Sequence, residues 1–139
     1  RYRRAPGAQV LIVEDDGATR AVLRRSLEKE GWTVTEAENG RVGLQRVAKA
    51  APALVLLDLM MPEMDGFEFL DGLRALQAAE PLPVVVITAK ELTDQDRQRL
   101  NGGVRAIVQK GSQDIDGLLD DVRRRVAVLA RPTSGKIPA

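Results

Sequence analysis

The sequence predicts an α/β fold built on a parallel sheet, and three observations carry that prediction. Short runs of branched apolar residues recur along the chain, segments with helical spacing of Leu and Val separate them, and strand and helix alternate five times. The strongest runs are Val10 to Val13, Leu54 to Leu57, Val84 to Ile87 and Ala106 to Val108, with a weaker alternating one from Trp32 to Glu36. Runs apolar on both faces suit strands covered on both sides, as in parallel sheets with right-handed crossovers.

The helices follow in order. After the first run, Ala18, Leu23 and Leu27 share one side, and the pattern stops near Gly31. The second helix is predicted over Gly40 to Ala50 with Leu44 and Val47 inward, and the third over Phe67 to Ala78 with Phe67, Leu70, Leu73 and Leu76 inward. Thr93 to Leu100 is so polar that a helix there is thinly anchored. The last pattern is the clearest, with Ile115, Leu118, Leu119, Val122, Val126 and Leu129 at helical spacing, leaving Asp120, Asp121, Arg123, Arg124 and Arg125 for an outer face.

The chain has 139 residues, with 21 Lys and Arg against 20 Asp and Glu, a net charge of +1 that lacks the electrostatic footprint of a nucleic-acid binder. It contains neither Cys nor His, which excludes thiolate chemistry, disulfides, zinc sites built on those residues and imidazole catalysis. No apolar stretch approaches the roughly 20 residues of a membrane span. The expectation is one cytoplasmic domain over residues 9–129, with a linker or tail at 1–8 and a flexible tail at 130–139 rich in Pro and Gly.

Function is read from how the strands end. The first runs into Glu14, Asp15 and Asp16, the third into Asp58, the fourth into Thr88 and the fifth into Lys110. Ligands of open parallel sheets bind outside the carboxyl ends of the strands, so these residues are expected at one edge. Asp16 is read as the N-cap of the first helix. Clustered carboxylates without His or Cys favour a hard cation with oxygen ligands, Mg²⁺ first among them. A lysine and a hydroxyl beside such an ion make a phosphoryl pocket, with Asp58 as the in-line carboxylate.

Four segments together carry a family resemblance: Leu11-Ile12-Val13-Glu14-Asp15-Asp16, Leu56-Leu57-Asp58-Leu59-Met60-Met61-Pro62-Glu63-Met64-Asp65-Gly66, Val85-Val86-Ile87-Thr88-Ala89 and Gln109-Lys110. In that order and spacing the chain resembles the receiver domains of bacterial response regulators. The resemblance implies a flavodoxin-like (βα)5 three-layer sandwich with strand order 2-1-3-4-5. It implies that Asp58 accepts a phosphoryl group from the phosphohistidine of a histidine kinase or phosphotransfer domain. It also implies Mg²⁺ held by the side chains of Asp15 and Asp58, the backbone carbonyl of Met60 and, mainly through water, Glu14. Lys110 and the Thr88 hydroxyl would contact phosphoryl oxygens, and movement of Thr88 would turn chemistry into signal.

Two residues depart from the family pattern. Ile107 stands where the family carries Tyr or Phe, which removes the usual aromatic half of the switch. Gly111 follows Lys110 where the family commonly has Pro after a cis bond; a trans bond and a reshaped loop are expected here, since cis before a non-proline costs about 2.5–4 kcal/mol. The segments Arg99 to Val104 and Val108 to Gly111 resemble receivers of hybrid sensor histidine kinases, so the fragment is expected to come from such a parent chain, not itself an enzyme. No contact with nucleic acid or membrane is expected, and a homodimer through the last helix stays open.

Other functions on this fold fit less well. A flavin module would need to hold a phosphate where Glu14, Asp15 and Asp16 repel one. An aspartyl-phosphate hydrolase resembles an Asp-x-Asp motif on the first strand, whereas the single Asp58 follows the third. The alternative that stays open is a degenerate receiver acting as a phosphorylation-independent interaction module.

Overall fold

A computed structural model describes residues 9–61, 63–76, 82–100, 103–111 and 114–129. The expected linker at 1–8, the tail at 130–139, Pro62 and the end of the third helix at 77–78 lie outside these residues. Five strands alternate with five helices: β1 (Gln9–Val13), α1 (Gly17–Lys29), β2 (Thr33–Ala37), α2 (Gly40–Lys49), β3 (Leu54–Leu57), α3 (Gly66–Leu76), β4 (Val84–Thr88), α4 (Asp94–Leu100), β5 (Val104–Gln109) and α5 (Ile115–Leu129). The strands form one parallel sheet in the order β2-β1-β3-β4-β5, the order implied by the resemblance.

Strand alternation sends side chains to two apolar layers. Val10 and Ile12 of β1, with Leu54 and Leu56 of β3, pack against Leu23 and Leu27 of α1 and Leu118, Val122 and Val126 of α5. Leu11, Val13, Val55 and Leu57 face the other way, onto Val47 of α2, Phe69, Leu70 and Leu73 of α3 and Leu100 of α4. Both faces of the central strands are thus covered, which is why those strands read as unbroken apolar runs. Phe69 is wholly buried in the second layer. Phe69→Ala is expected to lower unfolding free energy by about 3–5 kcal/mol in urea melts; a loss below about 1 kcal/mol would show that this layer is not close-packed.

Several expectations change at the edges of elements. Trp32 lies before β2: α1 ends in a turn through Gly31, where the Gly31 N–H donates to Glu28 O (3.0 Å) and the Trp32 N–H to Leu27 O (3.1 Å). Trp32 and Leu27 share the first core layer, the apolar contact that accompanies such a cap. β5 is longer than Ala106 to Val108 because Val104 and Gln109 also pair with β4. Ala18 is exposed, and so are Ile115 (53%) and Leu76 (46%), each in the first or last turn of its helix. Helical spacing gives the azimuth of a residue and not whether the sheet extends beneath it.

α4 buries only Leu100, as its polarity suggested. Contacts that composition does not reveal hold it against α3. The Arg99 guanidinium lies 4.4 Å from the centre of the Phe67 ring and pairs with Asp71 (3.6 Å), while Arg74 Nη2 donates to the Arg99 carbonyl (3.0 Å). On α5, Arg123 is not purely outward: it pairs with Asp120 and donates to Ser26 Oγ of α1 at 2.8 Å.

Candidate functional site

The sheet carries its polar residues one step past the strand ends. The Glu14 N–H donates to Ala37 O (3.0 Å), the Asp58 N–H to Val13 O (3.0 Å) and the Lys110 N–H to Thr88 O (2.8 Å). Each hydrogen bond continues the ladder with a neighbouring strand, so the backbones of Glu14, Asp58 and Lys110 are held by the sheet and not by a loop alone. This ladder brings Glu14, Asp58, Thr88 and Lys110 to the same edge, as the chain order implied.

Oxygens of Glu14, Asp15 and Asp58 lie within 4.8 Å of one another. Glu14 and Asp58 are buried and Asp15 is exposed, so the cluster opens outward on the Asp15 side. Lys110 Nζ lies 2.8 Å from Glu14 Oε1 and 3.6 Å from Asp58 Oδ2, and serves as counter-ion to the two buried carboxylates. The other Glu14 oxygen accepts from the Asp16 N–H at 3.2 Å. Burial pushes the Glu14 carboxyl up to about 7, against the lowering effect of its Lys110 hydrogen bond and with a further upward push from Asp58. Burial opposes the charge on Lys110 too, but its bond to Glu14 and the charges of Glu14 and Asp58 outweigh that, and its ammonium is held above the usual range.

Asp58 keeps its buried carboxylate partly satisfied by its own loop: Oδ1 accepts from the Met60 N–H at 3.2 Å. The Met60 side chain points away, 56% exposed, so only its backbone is available to the site. The loop closes onto α3 through a reciprocal cap in which the Glu68 N–H donates to Asp65 Oδ1 (2.9 Å) and the Asp65 N–H to Glu68 Oε1 (3.0 Å). Asp16 is the N-cap of α1, accepting from the Thr19 N–H at 3.0 Å. Thr19 bonds, side chain and backbone, hold its carboxyl below the usual range. It therefore stands apart from the cation cluster, as the sequence suggested.

Thr88 is wholly buried, and its Oγ1 accepts from the Lys90 N–H at 3.1 Å. Lys90 Nζ in turn reaches Asp96 Oδ2 at 2.7 Å, the residue that caps α4 with Thr93. Gln109, beside Lys110, donates from Nε2 to the Lys90 carbonyl (2.9 Å) and to the Thr88 carbonyl (3.4 Å). The β4–α4 loop is thus tied to the end of β5 by a carboxamide. Ile107 is half-buried against the second core layer. Among the described residues no peptide bond is cis, and Gly111 has φ +89°, a value proline cannot adopt. The Lys110–Gly111 bond is therefore trans, as expected, and glycine takes the positive φ at position 111 without strain.

Sequence reasoning quoted Gln109 only as part of a motif, without its tie to the β4–α4 loop, and gave no role to Lys90 or Asp96, nor to Arg20 and Glu36, which brace the β1–α1 loop. Arg20 Nη1 donates to the Glu14 carbonyl (2.7 Å) and the Asp15 carbonyl (3.3 Å), and its Nε to Glu36 Oε1 (2.8 Å). The only sequence signal for this contact is the helical offset of Arg20 from the acidic triplet, which by itself looks like any solvated charge.

A sheet of this order, with its polar residues gathered at the carboxyl edge, defines the class of flavodoxin-fold domains that includes CheY-like proteins. The chain belongs within it to the response regulator receiver domain family, whose family model matches residues 10–123. It is therefore a receiver domain of two-component phosphorelay signalling. The chain is 34% identical over 126 residues to the response regulator MprA of Mycolicibacterium vanbaalenii, a match covering 91% of this chain and 52% of that protein. It thus spans about half the length of that regulator. It is also 43% identical over 89 residues to an uncharacterized 14.6 kDa protein of Leptolyngbya boryana, covering 64% of this chain and 67% of that one. Among solved structures, the chemotaxis protein CheY4 of Vibrio cholerae aligns with a TM-score of 0.72 and 28% identity, over 84% of this chain and 97% of that one. The receiver domain of the sensor histidine kinase PA1611 of Pseudomonas aeruginosa, solved with a coordinated magnesium ion, shares the fold at a TM-score of 0.75 and 21% identity, over 89% of this chain and 98% of that one. No helix among the described residues is long and apolar enough to cross a membrane.

Proposed function

We propose that this receiver accepts a phosphoryl group on Asp58 from the phosphohistidine of a histidine kinase or phosphotransfer domain, in a reaction that requires Mg²⁺. The observation that carries this reading is the convergence of the Glu14, Asp15 and Asp58 oxygens within 4.8 Å, with Lys110 at their side. The residues fit the ion: the donors are all oxygen, three carboxylates are close together, and two of them are buried with a single ammonium between them. Asp15 and Asp58 would hold Mg²⁺ through side chains and Met60 through its backbone carbonyl, with Glu14 acting mainly through water. Bound there, the ion would offset negative charge on the transferring phosphoryl group.

An Asp58 carboxylate oxygen attacks phosphorus, and the new O–P bond forms as the N–P bond to the donor imidazole breaks, its nitrogen leaving with the electron pair. Lys110 moves its charge from Glu14 towards the equatorial oxygens, and the Thr88 hydroxyl donates to another of them. As Thr88 turns, the Lys90 N–H loses its acceptor and the start of α4 is released from one of its ties. The chain contributes position and charge, while the donor supplies the driving force. With no histidine of its own, the domain depends on a donor elsewhere in its parent chain or on another protein. The resemblance of Arg99 to Val104 and Val108 to Gly111 to hybrid-kinase receivers supports a hybrid sensor histidine kinase, working in the cytoplasm, as that parent. The presence of Asp15, Asp58, Thr88 and Lys110 together speaks against a degenerate receiver.

Incubation with Mg²⁺ and acetyl phosphate, followed by intact mass, tests the reading. One added phosphate is expected, and none when EDTA replaces Mg²⁺. An unmodified mass with Mg²⁺ present would overturn it.

A further inference from the structure

The cation cluster is presented by a short loop, and that loop has a brace outside the cluster. Glu14 and Asp15 send their carboxylates towards Asp58, while their two successive backbone carbonyls accept from one guanidinium, Arg20 Nη1, at 2.7 and 3.3 Å. Arg20 is aimed in turn by Glu36 near the end of β2, whose Oε1 accepts from Arg20 Nε at 2.8 Å. Glu36 pairs in register with Ile12 of β1, so its backbone is fixed by the strand that leads into Glu14. A second guanidinium, that of Arg24, bonds the other Glu36 oxygen and Glu28, and among the described residues donates no hydrogen bond to the loop.

We infer that Arg20, oriented by Glu36, is a positioning residue for the Mg²⁺ site, setting the backbone of Glu14 and Asp15 so that their carboxylates meet Asp58. The inference rests on the proposed Mg²⁺-dependent phosphoacceptance and names a determinant of that site. The two carbonyls belong to the peptide planes on either side of the Asp15 Cα, and fixing both restricts the Asp15 backbone, which sets where its side chain leaves the chain. Asp15 needs this most, since it is exposed and lies just beyond the last ladder hydrogen bond of β1. A salt bridge at the surface stabilises little by itself; the distinction here is that the same guanidinium reaches the chain carrying the candidate ligands. Arginine is required because one planar fork serves the carboxylate and the carbonyls at once, which a lysine ammonium on a flexible stem does not.

The test compares Arg20→Ala, Arg20→Lys, Glu36→Gln and Arg24→Ala in the same chain. Mg²⁺ affinity is read by calorimetric titration, the Mg²⁺ dependence of phosphorylation by acetyl phosphate is read by intact mass, and unfolding is followed by circular dichroism. Arg20→Ala and Arg20→Lys are expected to weaken Mg²⁺ binding roughly 10–100-fold, the range for residues that orient metal ligands. The half-saturating Mg²⁺ concentration should rise by the same factor, while the rate at saturating Mg²⁺ stays within about two-fold. Glu36→Gln should fall between these variants and wild type, and Arg24→Ala should match wild type. Should Arg20→Ala fail to fold, Arg20→Lys and Glu36→Gln carry the comparison. Equal Mg²⁺ affinity in wild type, Arg20→Lys and Glu36→Gln overturns the inference, as does an equal weakening by Arg24→Ala. A wild type that binds Mg²⁺ but gains no phosphate sinks the phosphoacceptor reading and leaves the titrations to decide the role of Arg20. A wild type that binds no Mg²⁺ sinks both.

Discussion

Asp58→Asn is expected to abolish phosphate incorporation from acetyl phosphate while leaving the protein at least as stable as wild type. The two effects have separate causes. Phosphorylation needs a carboxylate oxygen as nucleophile, and an amide at that position has none, so no added phosphate should appear by intact mass at any Mg²⁺ concentration. Stability depends instead on what the carboxylate touches. The hydrogen bond from the Met60 N–H to Oδ1 survives, because asparagine keeps a carbonyl oxygen there. The charge that is lost is one of two buried carboxylates sharing a single lysine, and its repulsion is among the influences that push the Glu14 carboxyl up. Removing it leaves Glu14 with Lys110 at 2.8 Å as a one-to-one pair. Thermal unfolding without Mg²⁺ should therefore show a midpoint equal to or above wild type. Residual phosphate on the variant would mean that another carboxylate is the acceptor. A sharp drop in the midpoint would mean that Asp58 is held chiefly for structure.

Gly66→Ala is expected to damage both the fold and the site, through sterics alone. Gly66 opens α3, and its N–H donates to Leu59 O at 3.1 Å. A methyl group there would come within 2.6 Å of Leu59 Cα and 2.7 Å of Asp58 O. Both are backbone atoms that cannot swing aside, so the β3–α3 loop has to move as a whole. The expected destabilisation is about 1–3 kcal/mol, the range for overpacking a tight site, measured by urea denaturation. Phosphorylation should slow as well, because the displaced carbonyl belongs to Asp58 itself. Gly103→Ala is the control: nothing lies within 4 Å of a methyl group there, and its effect should stay near zero. Equal stability of the two variants would show that the loop yields more easily than its contacts indicate.

Much of this molecule was legible in the sequence because its physics is local or periodic. Val10 to Val13 and Val84 to Ile87 announce strands covered on both faces, since only a parallel sheet with helices on both sides buries such runs. Glu14, Asp58, Thr88 and Lys110 announce a shared edge, because parallel strands all deliver their carboxyl ends to one side. Asp16 announces a cap by its place before a helical pattern, and Gly111 after Lys110 announces a trans bond where a proline would permit cis. What was misread lies at the helix ends: Ala18, Leu76 and Ile115 keep helical spacing but reach solvent.

The sequence by itself determined the class of fold, the five-fold alternation and the residue types available for chemistry. Only the tertiary structure decided which charges meet. Lys110 and Glu14 are far apart in the chain yet 2.8 Å apart in space, and the same holds for Arg20 with Glu36. The reason is that charge pairing depends on distances across the sheet, set by strand order and register, whereas a sequence records only distances along the chain. A lone arginine on a polar helix face carries no sign of its partner until β2 is laid beside β1 and Glu36 comes within its reach.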